Sequence, residues 1–474
     1  MRLKIRGILI CDIFYHILLF GAMASSNLWY NFGMVQEEKG RFSEVTFLIV
    51  VLLVAAMVGC IIFSVQGFIA RDTSKELPRV EIVLADGVTL EDINNSEKKI
   101  NFEGNELILV KDSTEMLFDG VGVRGRGNVS WASEKKPYRI KFANKVDFLG
   151  MGRHKKWAFL AYDLDDSLLR GDLGFYLAKM IDEDYPLGGE YVDFYMDGHE
   201  LGLYYVTPTV SIDKKIVDLR DEGGILVEAD GAWYGDEYYV RTKLNNYLVG
   251  KDAVVEENLV VSLERFKSAF ELFEDAVMKG DYDGVKKVVD AESLVNYFLF
   301  SEFTQNYDAY YTSFYLYKDG FDDVIHFGPA WDFDGIAGNK RWREGRYEET
   351  FLPETVFTDW WSEEKSCLID DEASVMAYAN AGLRQMMCRL VLMPEFRNVV
   401  QKTYREKLFG KKEEVINYME MKADYIREAA NRNNEIWDHG SFEEELEYLI
   451  WWVGERFDYF DKKSVVVPFE LKEI

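Results

Sequence analysis

The stretch Phe327-Gly328-Pro329-Ala330-Trp331-Asp332-Phe333-Asp334-Gly335-Ile336-Ala337-Gly338-Asn339 decides how this 474-residue chain is read. Asp332 and Asp334 stand one residue apart, between a Gly-Pro break and a Gly-Asn break. On an extended segment or turn, two such carboxylates reach one hard cation. Mg²⁺ takes oxygen ligands and is usually held by one or two carboxylates plus substrate phosphates. The competing reading is a plain turn, where Asp and Gly dominate for local reasons. The sequence upstream separates the two.

Composition removes several function classes. The formal net charge is −28, which disfavours a nucleic-acid surface and favours cations and basic partners. Cys11, Cys60, Cys367 and Cys388 form no CxxC pair, so neither a zinc site nor a disulfide framework is indicated. A Cys367–Cys388 pair is left open. The five His residues are scattered, and no HExxH or GxSxG motif occurs.

Residues 1–77 read as a membrane-anchoring region with a linker. Val45 to Ala70 carries no charge over 26 residues, long enough to cross a bilayer as one helix. Ile8 to Ala24 is a shorter apolar run interrupted by Asp12 and His16, either a first span or a signal-like segment. Basic residues flank the longer run on both sides, so the positive-inside rule does not orient it. The single-span reading places the chain at the cell membrane with its soluble part, 78–474, on the extracytoplasmic side.

That soluble part reads as α+β and two-lobed, a β-rich half before a helical half. Val80–Leu84, Glu106–Val110 and Tyr138–Phe142 have strand composition. Asp165 to Ile181 reads as an amphipathic helix, with Leu169, Leu173, Leu177 and Met180 at helical spacing. Val192–Tyr195 and Leu201–Val206 flank Asp197-Gly198, a hairpin signal. Ile225–Glu228 suits a buried strand. Leu263–Met278 and Ser293–Gln305 read as helices, the second capped by Asp290. Strands near Ser313–Tyr317 and Val324–Phe327 follow, and helices from about Ser374 to Lys462.

Between Arg124 and Lys156 ten Lys or Arg meet only Glu134 and Asp147, a local charge of +8. Gly120-Val121-Gly122-Val123-Arg124-Gly125 fits GxGxxG, a weak pattern that any glycine-rich hairpin satisfies. Glycines let backbone N–H groups approach an anion, and Arg124 and Arg126 add forked donors. Lys141 follows on a strand, as protein kinases place a lysine on ATP phosphates. Asp308 precedes Asp332 by 24 positions with two strands between, the kinase order of catalytic-loop acid, hairpin and metal Asp.

The ordered motifs resemble the CotH kinase family. They are Arg124-Gly125-Arg126-Gly127-Asn128, Lys135-Lys136-Pro137-Tyr138-Arg139-Ile140-Lys141-Phe142, Asp166-Ser167-Leu168-Leu169-Arg170, Gly202-Leu203-Tyr204, Tyr315-Leu316-Tyr317-Lys318 and Trp331-Asp332-Phe333-Asp334, closed by Trp452 and Arg456. The resemblance implies an atypical protein-kinase-like fold using ATP with Mg²⁺ or Mn²⁺, and a protein substrate that is Ser-rich and basic on a surface or spore coat. It makes Asp308 and Lys141 catalytic. Arg124, Arg126, Asn128 and Lys141 line the nucleotide phosphates, Asp332 and Asp334 hold the metal, and Asn339 is a metal-shell or turn residue. One departure is Pro208, standing where the family strand usually ends in glutamate. The alternatives are an inactive spore-coat or envelope scaffold, and a glycosyltransferase using Asp332-Phe333-Asp334 as a DxD metal site. Trp360-Trp361 and Trp451-Trp452 read as core aromatics before sugar platforms.

Overall fold

The computed structural model describes residues 76–306, 308–339, 352–354 and 380–465. The chain divides into two units, Met1–Lys75 and Glu76–Ile474, and every described residue belongs to the second. The two apolar runs expected to meet a membrane therefore lie outside the described residues. Among the described residues, no helix is long and apolar enough to cross a membrane.

The first half is β1 (Arg79–Val83), α1 (Leu90–Asn95), β2 (Phe102–Lys111), β3 (Thr114–Gly125), α2 (Val129–Ala132), β4 (Tyr138–Asp147), β5 (Arg153–Leu160), α3 (Arg170–Met180), β6 (Glu190–Met196) and β7 (His199–Pro208). The seven strands close into a barrel in the order β1-β2-β3-β4-β5-β7-β6. The closing pair, β1 with β6, is parallel. Side chains alternate across each strand. Tyr138, Ile140 and Phe142 of β4 point into the barrel with Val121, Val123, Trp157 and Phe159. Arg139 and Lys141 stand on the outer face of the same strand, half-buried. On β5 the outer face turns apolar after Lys156, and Ala158 and Leu160 join the core of the second half.

Two expectations change here. The GxGxxG glycines, read as a glycine-rich hairpin, lie within the single strand β3. Gly122 is a place of close approach: a Cβ there would sit 2.6 Å from the Glu103 carboxylate. The helix expected from Asp165 begins only at Arg170. Asp165 instead accepts from the backbone N–H of Ser167 (3.1 Å) and of Arg170 (3.0 Å), a local alternative to helix. Nor is α3 amphipathic: it is buried on nearly every side, from Arg170 to Phe175 and at Leu177 and Ala178.

The second half is β8 (Ile225–Ala229), β9 (Tyr239–Arg241), β10 (Tyr247–Ala253), α4 (Leu259–Met278), α5 (Tyr282–Val288), α6 (Ala291–Thr304), β11 (Phe314–Lys318), β12 (His326–Phe327), α7 (Ala381–Leu392), α8 (Pro394–Lys407), α9 (Lys412–Ile436) and α10 (Phe442–Val465). Its strands form one antiparallel sheet, β12-β11-β8-β10-β9. The Asp290 carboxylate caps α6 by accepting from Ser293 N–H at 2.8 Å. α6 is buried from Ser293 to Thr304, its polar Asn296, Ser301 and Glu302 included. It forms the floor beneath the Asp332–Asp334 stretch. Trp452 is buried and Trp451 about half exposed.

Candidate active site

The acid-bearing loop leaves β12 at Phe327 and is held at several points. Ser313 Oγ donates to Asp332 Oδ2 at 2.9 Å. The Ala337 N–H donates to Thr304 O at the end of α6, at 2.8 Å. Asn339 Nδ2 donates to Asp334 O (2.5 Å) and to Leu164 O (2.8 Å). Asn339 is thus a turn clamp, its amide nitrogen committed to the loop. Phe333 anchors the centre, edge-on to Phe175 (4.8 Å) and Phe300 (5.2 Å). It fits because position 174 is glycine: a Cβ there would come within 2.4 Å of the Phe333 ring.

Arg170 fixes the far end of the loop. It is fully buried. Its Nε donates to Ile336 O at 3.1 Å, while Nη1 and Nη2 pair with Asp165 and Glu445, each at 2.6 Å. Burial opposes its charge, but the two carboxylates outweigh that and hold the guanidinium above its ordinary range. One side chain therefore joins the start of α3, the acid loop and α10.

The carboxylates crowd one another. Burial pushes the Asp334 carboxyl well above the usual range, and the charges of Asp332, Asp308 and Asp165 push the same way. The residue keeps some surface; its carboxyl is nonetheless desolvated and surrounded by like charge. Asp308 follows the left-handed Gln305 at the end of α6, and its N–H donates to Asn306 Oδ1 at 3.2 Å. The structure thus brings Asp308, Asp332 and Asp334 into one electrostatic neighbourhood. Among the described residues, no three His, Cys, Asp or Glu side chains group tightly enough to hold a metal alone. The donor set fits a hard divalent cation that takes two carboxylates here and the rest of its shell from phosphate and water.

The outer surface of β3, β4 and β5 approaches the acids at Arg126. Arg124 lies directly opposite Arg139, and Gly122 opposite Lys141. Lys141 in turn lies opposite Lys156. The Arg126 guanidinium sits 5.6 Å over the Trp331 ring, next to Asp332. Burial pulls Arg139 down to about 10, with Arg124 and Arg126 pressing the same way. Burial raises the Tyr315 hydroxyl, which feels Glu228, Arg126 and Asp332, so both charge signs meet around one phenol. Lys141 is turned to Glu103, at 3.7 Å. Asn128 accepts from Lys98 Nζ. Pro208 ends β7 opposite Trp157.

Sequence reasoning passed over Arg139, Arg170 and Asp165 as site residues. The signal for Arg139 was present, since it alternates with Lys141 and shares its face. Lys135, counted in the basic stretch, is no surface cation. It is fully buried, donates to Ala161 O (2.6 Å) and Leu203 O (2.5 Å), and lies 4.6 Å over Tyr204. A cavity of about 490 Å³ lined by Asp172, Tyr176, Tyr418 and Lys422 lies apart from the acids, on the α3–α9 side. It shares Phe175 with the packing of the loop.

Compared with known proteins, residues 123–460, from β3 to α10, match the model of the family described as CotH kinase protein. No curated protein matches the chain.

Proposed function

The chain belongs to the CotH kinase family, and from that premise we propose that it transfers the γ-phosphoryl group of ATP to serine-type hydroxyls of a Ser-rich, basic surface or spore-coat protein. The observation that carries this is the gathering of Asp308, Asp332 and Asp334, with Arg126 over the neighbouring Trp331. A divalent metal, Mg²⁺ or Mn²⁺, bound at Asp332 and Asp334 would neutralise phosphate charge as the bond to the leaving group breaks. Asp308 orients the acceptor hydroxyl and takes its proton. Arg124 and Arg126 donate to phosphate oxygens. Ser313 holds the Asp332 carboxylate in one orientation, and Arg170 and Asn339 keep the loop from yielding when charge shifts.

We place this chemistry outside the cytoplasm, tethered by the apolar run at 45–70. Cys388 is disulfide-bonded, and disulfides persist in oxidising compartments. The test is full-length protein in detergent with labelled ATP and Mg²⁺ or Mn²⁺, followed for transfer to a Ser-rich basic protein and to itself, beside Asp332→Ala. Transfer lost in the variant supports the reading. ATP binding without transfer would make the chain a scaffold, and failure of both would refute the kinase assignment.

A further inference from the structure

Among the described residues, three guanidiniums on the barrel wall have no counter-charge. Arg124 and Arg139 are cross-strand partners in an antiparallel pair. Such partners place their Cβ atoms about 4.5–5.5 Å apart, and like charges there are destabilising. Arg126 is two residues beyond Arg124, and its N–H continues the ladder to Pro137 O at 3.3 Å. Extended geometry therefore returns it to the same face. Each of the three is only half-buried by exposed area. The side-chain contact described for this group is Arg126 over Trp331. Among the described residues, no carboxylate lies within ion-pair distance of any of them, in a chain carrying a net charge of −28. Repulsion of this kind persists where an anion relieves it. Lys141, in contrast, already has Glu103 at 3.7 Å, and Gly122 leaves the room that brings that carboxylate in.

We propose that Arg124, Arg126 and Arg139 form a polyphosphate site, with Arg139 and not Lys141 as its principal β4 cation. The anion is the triphosphate tail of a nucleotide, and in this the proposal rests on the kinase reading. The position suits it. Arg126 caps the ring of Trp331, so a phosphate bound by the arginines lies beside the Asp332 carboxylate and can share a cation with it. Arginine suits the task because its planar fork binds two phosphate oxygens at once. Lys156, opposite Lys141, extends the positive field along the wall; burial pulls its charge down first, then the field of Arg139. Lys141 is then a rim residue that sets the position of Glu103.

The experiment is calorimetric titration of full-length protein in detergent with inorganic triphosphate and, separately, with ATP, both in excess Mg²⁺. Wild type is compared with Arg139→Ala, Arg139→Lys and Lys141→Ala. Loss of one charge-assisted contact predicts about a tenfold or greater fall in triphosphate affinity for Arg139→Ala. Arg139→Lys recovers part of it, and Lys141→Ala changes it less than about threefold. Arg139→Ala also melts no lower than wild type, because it relieves repulsion; a structural cation would do the reverse. Equal or larger loss in Lys141→Ala, or unchanged affinity in both Arg139 variants, overturns the proposal. If phosphoryl transfer fails while triphosphate binding still depends on Arg139, the site stands and the kinase reading falls. If transfer proceeds without Arg139, the opposite holds.

Discussion

Arg170 offers the sharpest test of how the acid loop is held. Its guanidinium is fully buried and bonded to two carboxylates at 2.6 Å, Asp165 and Glu445, and to Ile336 O at 3.1 Å. Arg170→Met keeps bulk and removes the charge. It leaves two carboxylates, both largely buried, without their partner and one loop carbonyl without its donor. Removing one partner of a buried ion pair costs about 3–5 kcal/mol, and domains are commonly stable by only about 5–15 kcal/mol. The variant should therefore lose about a fifth or more of its stability. Arg170→Lys retains one charge but not the fork, so it should fall between wild type and Arg170→Met. Asp165→Asn in the Arg170→Met background should recover part of the loss, since one orphaned charge is gone. Urea unfolding followed by tryptophan fluorescence measures wild type, these three variants and Asp165→Asn alone. A loss below about 1 kcal/mol for Arg170→Met, or a double variant as unstable as the sum of its singles, refutes the claim that one side chain ties α3, the loop and α10 together.

Other perturbations separate function from stability. Asp334→Asn removes one of several crowded charges, so the metal-free protein should gain about 1 kcal/mol while Mg²⁺ ceases to raise its melting temperature. Gly174→Ala puts a methyl group 2.4 Å from the Phe333 ring; overpacking of this kind costs about 1–3 kcal/mol, read by urea unfolding, and phosphoryl transfer should fall as the loop shifts. Glu228 is buried, and burial lifts its carboxyl to about 7 despite Lys251 at 2.8 Å; the same contact raises Lys251 against its own burial. A carboxyl raised in the folded state binds the proton more tightly there, so its stabilisation is full below the ordinary value of 4.5 and lost as pH rises through about 7. Glu228→Gln should flatten that decline, worth on the order of 3 kcal/mol across the window, as measured by unfolding at pH 4.5 to 8.

What could be read in the sequence was local. Asp197-Gly198 announces the β6–β7 hairpin, and both residues have positive φ, 53° and 77°. Asp290 announces α6 because its carboxylate satisfies a backbone donor three residues on. The acid loop is legible because Gly328-Pro329 and Gly338-Asn339 bracket it. Closure of the barrel was not legible. It rests on β1 pairing with β6, Arg79 with Asp193, and neither strand records so distant a partner. The start of α3 was missed for a local reason, since Asp165 competes for the backbone donors a longer helix would use. The charges divide the same way. Arg139, Lys141 and Lys135 look alike within one basic run. Their fates are decided by what lies opposite: Arg124 for the first, Glu103 for the second, and two buried carbonyls for the third. On the polyphosphate proposal, the family motif selects the right strand for the phosphate cation but not the side chain. Register decides between them, because Arg139 lies in the row with Arg124, Ala158 and Thr207, whereas Lys141 lies in the row with Gly122 and Lys156. In the first row, Ala158 is already part of the core shared with the second half, so that row lies against the second half. The cation best placed to meet a phosphate between the two halves is the one on that row.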